Sequence, residues 1–443
     1  VLGEYPIQGH GAAEIAASVE RAVGTGELEP GQSLPPMREL ATRLGVNPNT
    51  VAAAYRTLRE RGVIETAGRR GSRVRPKPAT TGREQIRVAV PEGVRDMADG
   101  NPDPALLPHL AQAFAAAAAQ GDREPVLYGH DPVEPELARL ARAALDADGV
   151  PDGPIGVASG SLDAVERVLA AHLKPGDQVA VEDPGWGRVL DLVPALGLRT
   201  VSVDVDDEGP RPEDVRRALE SGVRALIVTD RAQNPTGAAL TATRARALRS
   251  VLREYPETLL IEDDHGHGIV DVPLSPLAGV TRHWVFVRSV AKAWGPDLRL
   301  AVFTGDAVTV DRVRGRQRLG AGWVSLLVQR AVVRLWNDGA VDTREVAASY
   351  GGRRDALIEA LTERGVSAHG RSGMNVWVPV PDETGVVARL LHAGWAVSPG
   401  ARFRLNAPQG IRITISALKT EETGELADAV AAAVGPTPAR TYV

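Results

Sequence analysis

The stretch RSVAKAWGPDLRLA, Arg288 to Ala301, decides how the chain is read. It overlaps the end of the apolar run HWVFVRSV, which reads as a strand, and it contains Lys292. The sequence holds 51 Lys and Arg residues, yet only four are lysine: Lys77, Lys174, Lys292 and Lys419. Lys77 falls in a proline-rich connector, Lys174 in the turn LKPGD and Lys419 in the polar ALKTEE. A chain that uses arginine almost everywhere keeps a lysine at a strand end. Arginine holds its proton near neutral pH, whereas a partly desolvated lysine can lose it and then form a Schiff base. The bland alternative is a chance surface lysine, so the remaining residues have to decide.

Upstream of this stretch, DQVAVED, LRTVSVDV, RALIVTD and ETLLIEDD are short, β-branched-rich segments. Helical patterns such as SLDAVERVLAAHL and ATRARALRSVLREY lie between many of them, which predicts a mainly parallel α/β sheet. Sites in such sheets gather at the carboxyl ends of strands. Ser159, Gly160 and Ser161 open a helix there, where free N–H groups and the helix dipole suit a phosphate. Trp186 sits on a Gly-flanked loop, available to stack on a planar ring, and Asn234 precedes a Pro-Thr-Gly turn. Asp263, Asp264, His265 and His267 end another strand, and Ser289, Lys292 and Arg299 add a hydroxyl, an amine and a guanidinium. Each has a plainer reading: a helix cap, a hydrophobic plug, a surface charge. A metal reading of Asp263, Asp264, His265 and His267 is weighed too, but adjacent strand residues point to opposite faces, so at best alternate members converge.

As an ordered set, these residues resemble fold-type I, pyridoxal-phosphate-dependent aminotransferases over about residues 98–435. The resemblance implies that Lys292 is the Schiff-base lysine of pyridoxal 5′-phosphate and that Asp263 pairs with the pyridinium nitrogen. It implies that Asn234 bonds the ring hydroxyl oxygen and Trp186 stacks on the ring, while Ser159, Gly160, Ser161, Ser289 and Arg299 hold the phosphate. Tyr128 in LYGHDP resembles a tyrosine that reaches the phosphate, often across a dimer. Arg412, amid Ile411, Ile413 and Ile415, matches an arginine for a substrate carboxylate, and Arg188 is a second effector-binding candidate. Three departures stand out. His265 occupies a position where tyrosine is frequent beside the ring hydroxyl, Leu162 replaces a frequent glutamine, and Ala291 a frequent serine.

The first 76 residues are of another kind. Ile15, Val19 and Val23 share a helical stripe, MRELATRLG is a short amphipathic helix stopped by Gly45, and Pro48 opens a further helix to about Arg61. VIETAG and SRVRP then flank a tip rich in Gly and Arg. Helix, helix, turn, helix and a basic hairpin suit a major groove. The words GELEPGQSLPPMRELATRLGVNPNTVAAAYRTLRERGVIE and GRRGSRV resemble the GntR type of winged helix-turn-helix. That resemblance implies DNA contacts from Arg38, from Asn47, Asn49 and Thr50 opening the recognition helix, from Tyr55 further along it, and from Arg69, Arg70, Gly71 and Ser72 in the wing. Pro48 stands where a base-reading arginine is common. A helical oligomerisation module with an arginine-rich edge is the alternative.

Charge agrees with a confined polyanion site. Residues 1–78 carry 11 Lys or Arg against 8 Glu, although the whole chain has a net charge of −5. With 443 residues, two or three domains are expected: a winged helix-turn-helix at 1–76, mainly α with a β wing; a linker at 77–100; and an α/β aminotransferase-like body with a large subdomain at 101–335 and a small one at 336–435. There is no cysteine for disulfides or cysteine-ligated metal, and no apolar run of spanning length, so no membrane partner and a cytoplasmic location are expected. A GntR-like head on an aminotransferase-like body resembles the MocR/GabR-type transcriptional regulators. That layout implies operator DNA, a pyridoxal phosphate or amine effector, and a homodimer with swapped heads. A working aminotransferase with a tethering or autoregulatory head remains the rival, and a DNA-binding pseudoenzyme without cofactor is disfavoured by Lys292.

Overall fold

The computed structural model describes residues 7–25, 27–29, 31–60, 63–66, 71–75, 82–83 and 86–435. They fold as two compact units divided mainly near residue 80, with residues 173–177 and 191–199 grouped with the first. The first contains α1 (Ala12–Thr25), α2 (Met37–Leu44), α3 (Pro48–Glu60) and the antiparallel strands β1 (Ile64–Thr66) and β2 (Ser72–Val74). Gly45 ends α2 in the left-handed region, φ 67°, which releases Val46 and Asn47 into the tight turn before α3. Asn47 then accepts the Asn49 N–H on its side chain at 2.9 Å, which starts the new helix, and Pro48 occupies its first turn. Ile15, Val19, Leu40, Val51, Tyr55, Leu58, Ile64 and Val74 form one small core.

The second unit opens with β3 (Arg95–Met97), α4 (Ala111–Arg123) and α5 (Pro135–Ala147). Alternation follows through β4 (Ile155–Ala158), α6 (Ser161–His172), β5 (Gln178–Asp183), α7 (Gly187–Ala195), β6 (Arg199–Asp206), β7 (Gly209–Pro210), α8 (Pro212–Glu220), β8 (Ala225–Thr229), α9 (Ala242–Arg253), β9 (Leu259–Asp264), β10 (His283–Ser289), the short α10 (Ala291–Trp294) and β11 (Ala301–Gly305). These strands make one eight-stranded sheet in the order β4-β11-β10-β9-β8-β5-β6-β7. Strands β10, β9, β8 and β5 pair in parallel, while β11 runs antiparallel to both β10 and β4. The parallel strands are buried along most of their length, as continuous β-branched runs covered by helices on both faces should be. Leu226, Val228, Leu248, Leu260 and Phe286 lie in the core of one face, and Val157, Val290, Leu300 and Val302 in that of the other.

After α11 (Ala307–Arg318) and α12 (Leu326–Asn337), the long α13 (Thr343–Glu363) leads to β12 (Asn375–Pro379), α14 (Glu383–His392), β13 (Trp395–Pro399), β14 (Gly410–Thr414) and α15 (Thr423–Val434). The small sheet has the order β12-β14-β13-β3. Strand β3 comes from the stretch read as connector. Residues 95–97 pair in parallel with β13, Trp395 opposite Arg95 and Val397 opposite Met97, and Met97 is fully buried. Three residues are too few for an alternating pattern to stand out, so the strand was not legible before its partner was in place. No helix among the described residues is long and apolar enough to cross a membrane.

Candidate functional site

The carboxyl ends of β8, β9 and β10 bring the chemistry together. Lys292 lies on α10, just past β10, and its Nζ donates to the carbonyl of Gly100. Burial pushes its amine down to about 8, with the charges of Arg412 and Arg188 acting in the same direction. Arg412 on β14 is 3% exposed. It donates to Asn234 Oδ1 at 3.0 Å and to the Ala98 carbonyl, and its guanidinium lies 4.7 Å from the Phe403 ring centroid. Asn234, Arg412 and Lys292 are therefore joined through residues 98–100. Those two carbonyls had no signal in the sequence, because a backbone acceptor is not a residue type.

Asp263, at the end of β9, keeps Oδ2 against His265 Nδ1 at 3.1 Å. Its Oδ1 is buried and has no hydrogen-bond partner among the described residues. Trp186 and Asp263 line the same small cavity, together with Val165, Val189 and Ile227. Trp186 also lies 6.1 Å from the His265 ring, tilted by 59°.

At the start of α6, Gly160 has φ 96°, and a Cβ there would come within 2.7 Å of Arg299 Nη2. Only glycine allows that approach. Arg299 itself is left-handed, φ 45°, a conformation costing a non-glycine residue roughly 1–2 kcal/mol, and its Nη2 donates to the Ser159 carbonyl at 2.9 Å. Ser161 Oγ is a second buried oxygen without a partner among the described residues. Asp163 takes the Ser159 N–H at 2.9 Å and is in turn paired with Arg167 at 2.8 Å. Ser289 Oγ accepts the Ala291 N–H at 3.1 Å and so fixes the turn into α10.

The head presents Arg38, Asn47 and Asn49 on its exposed surface, with Thr50 partly buried beside them. Gly71, with φ 82°, enters β2 at Ser72. Tyr55 does not face outward. It is 1% exposed and donates its hydroxyl to the Pro35 carbonyl at 2.8 Å, so it belongs to the core rather than to a DNA-contacting face. Its position one helical turn after Val51 puts it on the inner stripe of α3. Arg69 and Arg70 lie outside the described residues.

Two family models match the chain: bacterial regulatory proteins of the gntR family over residues 12–74, and aminotransferase class I and II over residues 92–430. The vitamin B6 salvage pathway transcriptional repressor PtsJ of Salmonella typhimurium is 41% identical over 95% of this chain and 98% of its own length. The chain belongs to the MocR-type transcriptional regulators. The pyridoxine biosynthesis regulator PdxR of Corynebacterium glutamicum is 32% identical over 60% of this chain and 59% of its own. Among solved structures, aspartate aminotransferase from Thermus thermophilus with maleate superimposes with a TM-score of 0.68 at 27% identity, covering 77% of this chain and 91% of that one.

Pyridoxal 5′-phosphate is the cofactor of that aminotransferase fold, and the residues of this regulator fit it. Two of the buried oxygens without partners among the described residues, Asp263 Oδ1 and Ser161 Oγ, fall among residues matched to the ring-nitrogen and phosphate ends of such a ligand. The glycine-permitted approach of Arg299 to Ser159–Gly160 adds the cation a phosphate needs.

The other carboxylates and imidazoles of IEDDHGHG go elsewhere. Asp264 faces away from Asp263, as adjacent strand residues must, and lies between Arg231 at 2.8 Å and Arg288 at 3.0 Å. Burial opposes its charge, but the two guanidiniums win and hold its carboxyl well below the usual range. His267 stacks on Trp294 at 5.5 Å, and burial pushes it down to about 3. Among the described residues no group of three or more His, Cys, Asp or Glu is placed to hold a metal. Tyr128 is 93% exposed and meets Trp323 edge-on at 5.9 Å, so it packs on none of the site residues in its own chain.

Proposed function

We propose that this regulator takes pyridoxal 5′-phosphate at Lys292 as its signal and changes its grip on operator DNA in response. The carrying observations are the buried amine of Lys292, pushed down to about 8, and the buried Oδ1 of Asp263, which has no hydrogen-bond partner among the described residues. Lys292 supplies the neutral amine that captures an aldehyde. Arg299, Gly160 and Ser161 would hold the phosphate, Asp263 Oδ1 would hold a proton on the ring nitrogen, and Trp186 would cover the ring. Once bound, the cofactor supplies an electron-withdrawing ring, which serves catalysis in aminotransferases and serves recognition here. The relative from Salmonella typhimurium is named as a repressor of vitamin B6 salvage, which favours a B6 phosphate over an unrelated amine as the ligand.

Binding alone changes nothing unless the ligand prefers one arrangement of the protein. The site is tied to residues 98–100 through both Lys292 and Arg412, so occupancy that frees Lys292 from the Gly100 carbonyl would alter the end of the stretch read as connector. The reading includes a homodimer with swapped heads. Leu127, Tyr128, Leu319, Trp323 and Leu327 are large apolar side chains left exposed on the single chain, with Tyr128 and Trp323 in contact, and a second copy would cover them.

The second reading, a turning-over aminotransferase, is favoured by the Arg412–Asn234 contact, which places a guanidinium beside the ring-hydroxyl residue. The test is a titration of the purified protein with pyridoxal phosphate, followed by visible absorption, with operator binding measured in parallel. The regulator reading expects a visible band lost in Lys292→Ala and an operator affinity that depends on the ligand. Sustained conversion of an amino donor and keto acid, with operator affinity unmoved, supports the enzyme instead.

A further inference from the structure

His265 has acceptors on both sides of its ring. Nδ1 lies 3.1 Å from Asp263 Oδ2 and Nε2 lies 2.8 Å from the carbonyl oxygen of Ala232. A carbonyl has no proton to give, and neither has a carboxylate. A neutral imidazole carries one N–H and one lone pair, so it would set that lone pair against one of the two oxygens. The imidazolium satisfies both.

The carbonyl is not free to turn away. Ala232 is left-handed, φ 54°, and its N–H donates to Ser372 Oγ at 2.8 Å. Ser372 Oγ itself donates to the Gly237 carbonyl at 3.1 Å, and a Cβ on Gly373 would lie 2.5 Å from Ala232 Cβ. The peptide is thus clamped, with its oxygen toward His265. Burial favours the neutral ring and the Lys292 charge acts the same way, but the Asp263 carboxylate and the Ala232 carbonyl outweigh them and raise the imidazole. Glu182, buried nearby, also interacts with it.

We propose that His265 is held as an imidazolium and acts as the positioning residue of Asp263. It fixes Oδ2 and leaves Oδ1 as the oxygen available to a ring nitrogen. Its charge offsets that of the carboxylate, so the site offers the ring a neutral acid–base pair in place of a bare anion. This differs from the ring-hydroxyl donor that the position suggests by resemblance, since both nitrogens are already engaged. It rests on the pyridoxal phosphate reading, but the protonation state is a property of the protein alone.

The first measurement therefore uses the full-length protein without cofactor, labelled with 15N-histidine, with His265→Asn identifying the resonance. Two protonated ring nitrogens at neutral pH are expected, reverting to a single N–H in Asp263→Asn; a neutral ring in the wild type overturns the proposal. The second follows the visible band of the cofactor-loaded protein against pH. His265→Asn and His265→Tyr should both titrate higher than wild type, by on the order of one pH unit, because each removes a positive charge from the site. Restoration of the wild-type titration by tyrosine, or no shift in either variant, overturns it. If no visible band forms at all, the cofactor reading fails while the first measurement still decides the charge.

Discussion

At Lys292 desolvation competes with solvent access, and desolvation gains from two neighbouring arginines. The amine sits near 8 because burial, Arg412 and Arg188 all disfavour its proton. Its reactivity should therefore follow the neutral fraction: capture of pyridoxal phosphate by the cofactor-free protein should accelerate as pH rises from 6.5 to 8 and level off above. Stopped-flow absorption measures this directly. Arg188→Gln removes one of the two like charges and should move the bend of the profile upward. A profile still climbing at pH 9.5 in the wild type would return Lys292 to the ordinary range. Lys292 was legible because lysine is scarce in this chain. Its partners were legible only in part, since Asn234, Asp263 and Arg299 carry side-chain chemistry whereas the carbonyls of Ala98, Gly100 and Ala232 do not. The direction His265 takes was hidden for the same reason.

At the scale of elements, β8 and β9 bury a second pair of acids that the site does not use. Glu262 accepts the Leu277 N–H and shares the interior with Asp230, whose two oxygens have no other partner among the described residues. Burial pushes Glu262 up to about 7 and Asp230 well above its ordinary value, Asp230 further through the charges of Glu262 and Asp264. An acid with a raised folded-state pKa binds more protons folded than unfolded, here between 4.5 and about 7, so its contribution to stability falls as pH rises through that window. Glu262→Gln keeps the acceptor for Leu277 and donates permanently to Asp230. Urea unfolding should find it close to wild type at pH 5 and more stable at pH 8; equal stability at both would contradict the raised acidity range of Glu262.

In the head, α2 and α3 carry separate roles, Arg38 on the first and Tyr55 on the second. Tyr55→Phe removes a buried hydrogen bond and should cost the head about 1–2 kcal/mol in thermal or denaturant unfolding, with the salt slope of operator binding unchanged. Arg38→Ala should instead leave stability alone and lower that slope by about 1. The turn, the helix stop at Gly45 and the order of elements could all be read from the residues. The inward turn of Tyr55 could have been found from its spacing to Val51 and Leu58, but an aromatic in a helix-turn-helix invites the functional reading first.

For the whole molecule, the question is whether the body speaks to the head. Linkage requires that any factor by which pyridoxal phosphate changes operator affinity also be the factor by which operator changes pyridoxal phosphate affinity. The most direct test titrates pyridoxal phosphate into the full-length protein with and without saturating operator DNA, reading the visible band, and titrates operator with and without pyridoxal phosphate. The account predicts two ratios of affinities that differ from one and equal each other, with both the band and the ligand dependence of operator binding lost in Lys292→Ala. A pyridoxal phosphate affinity that is the same with and without operator would contradict it, and Lys292 would then serve chemistry without serving the switch.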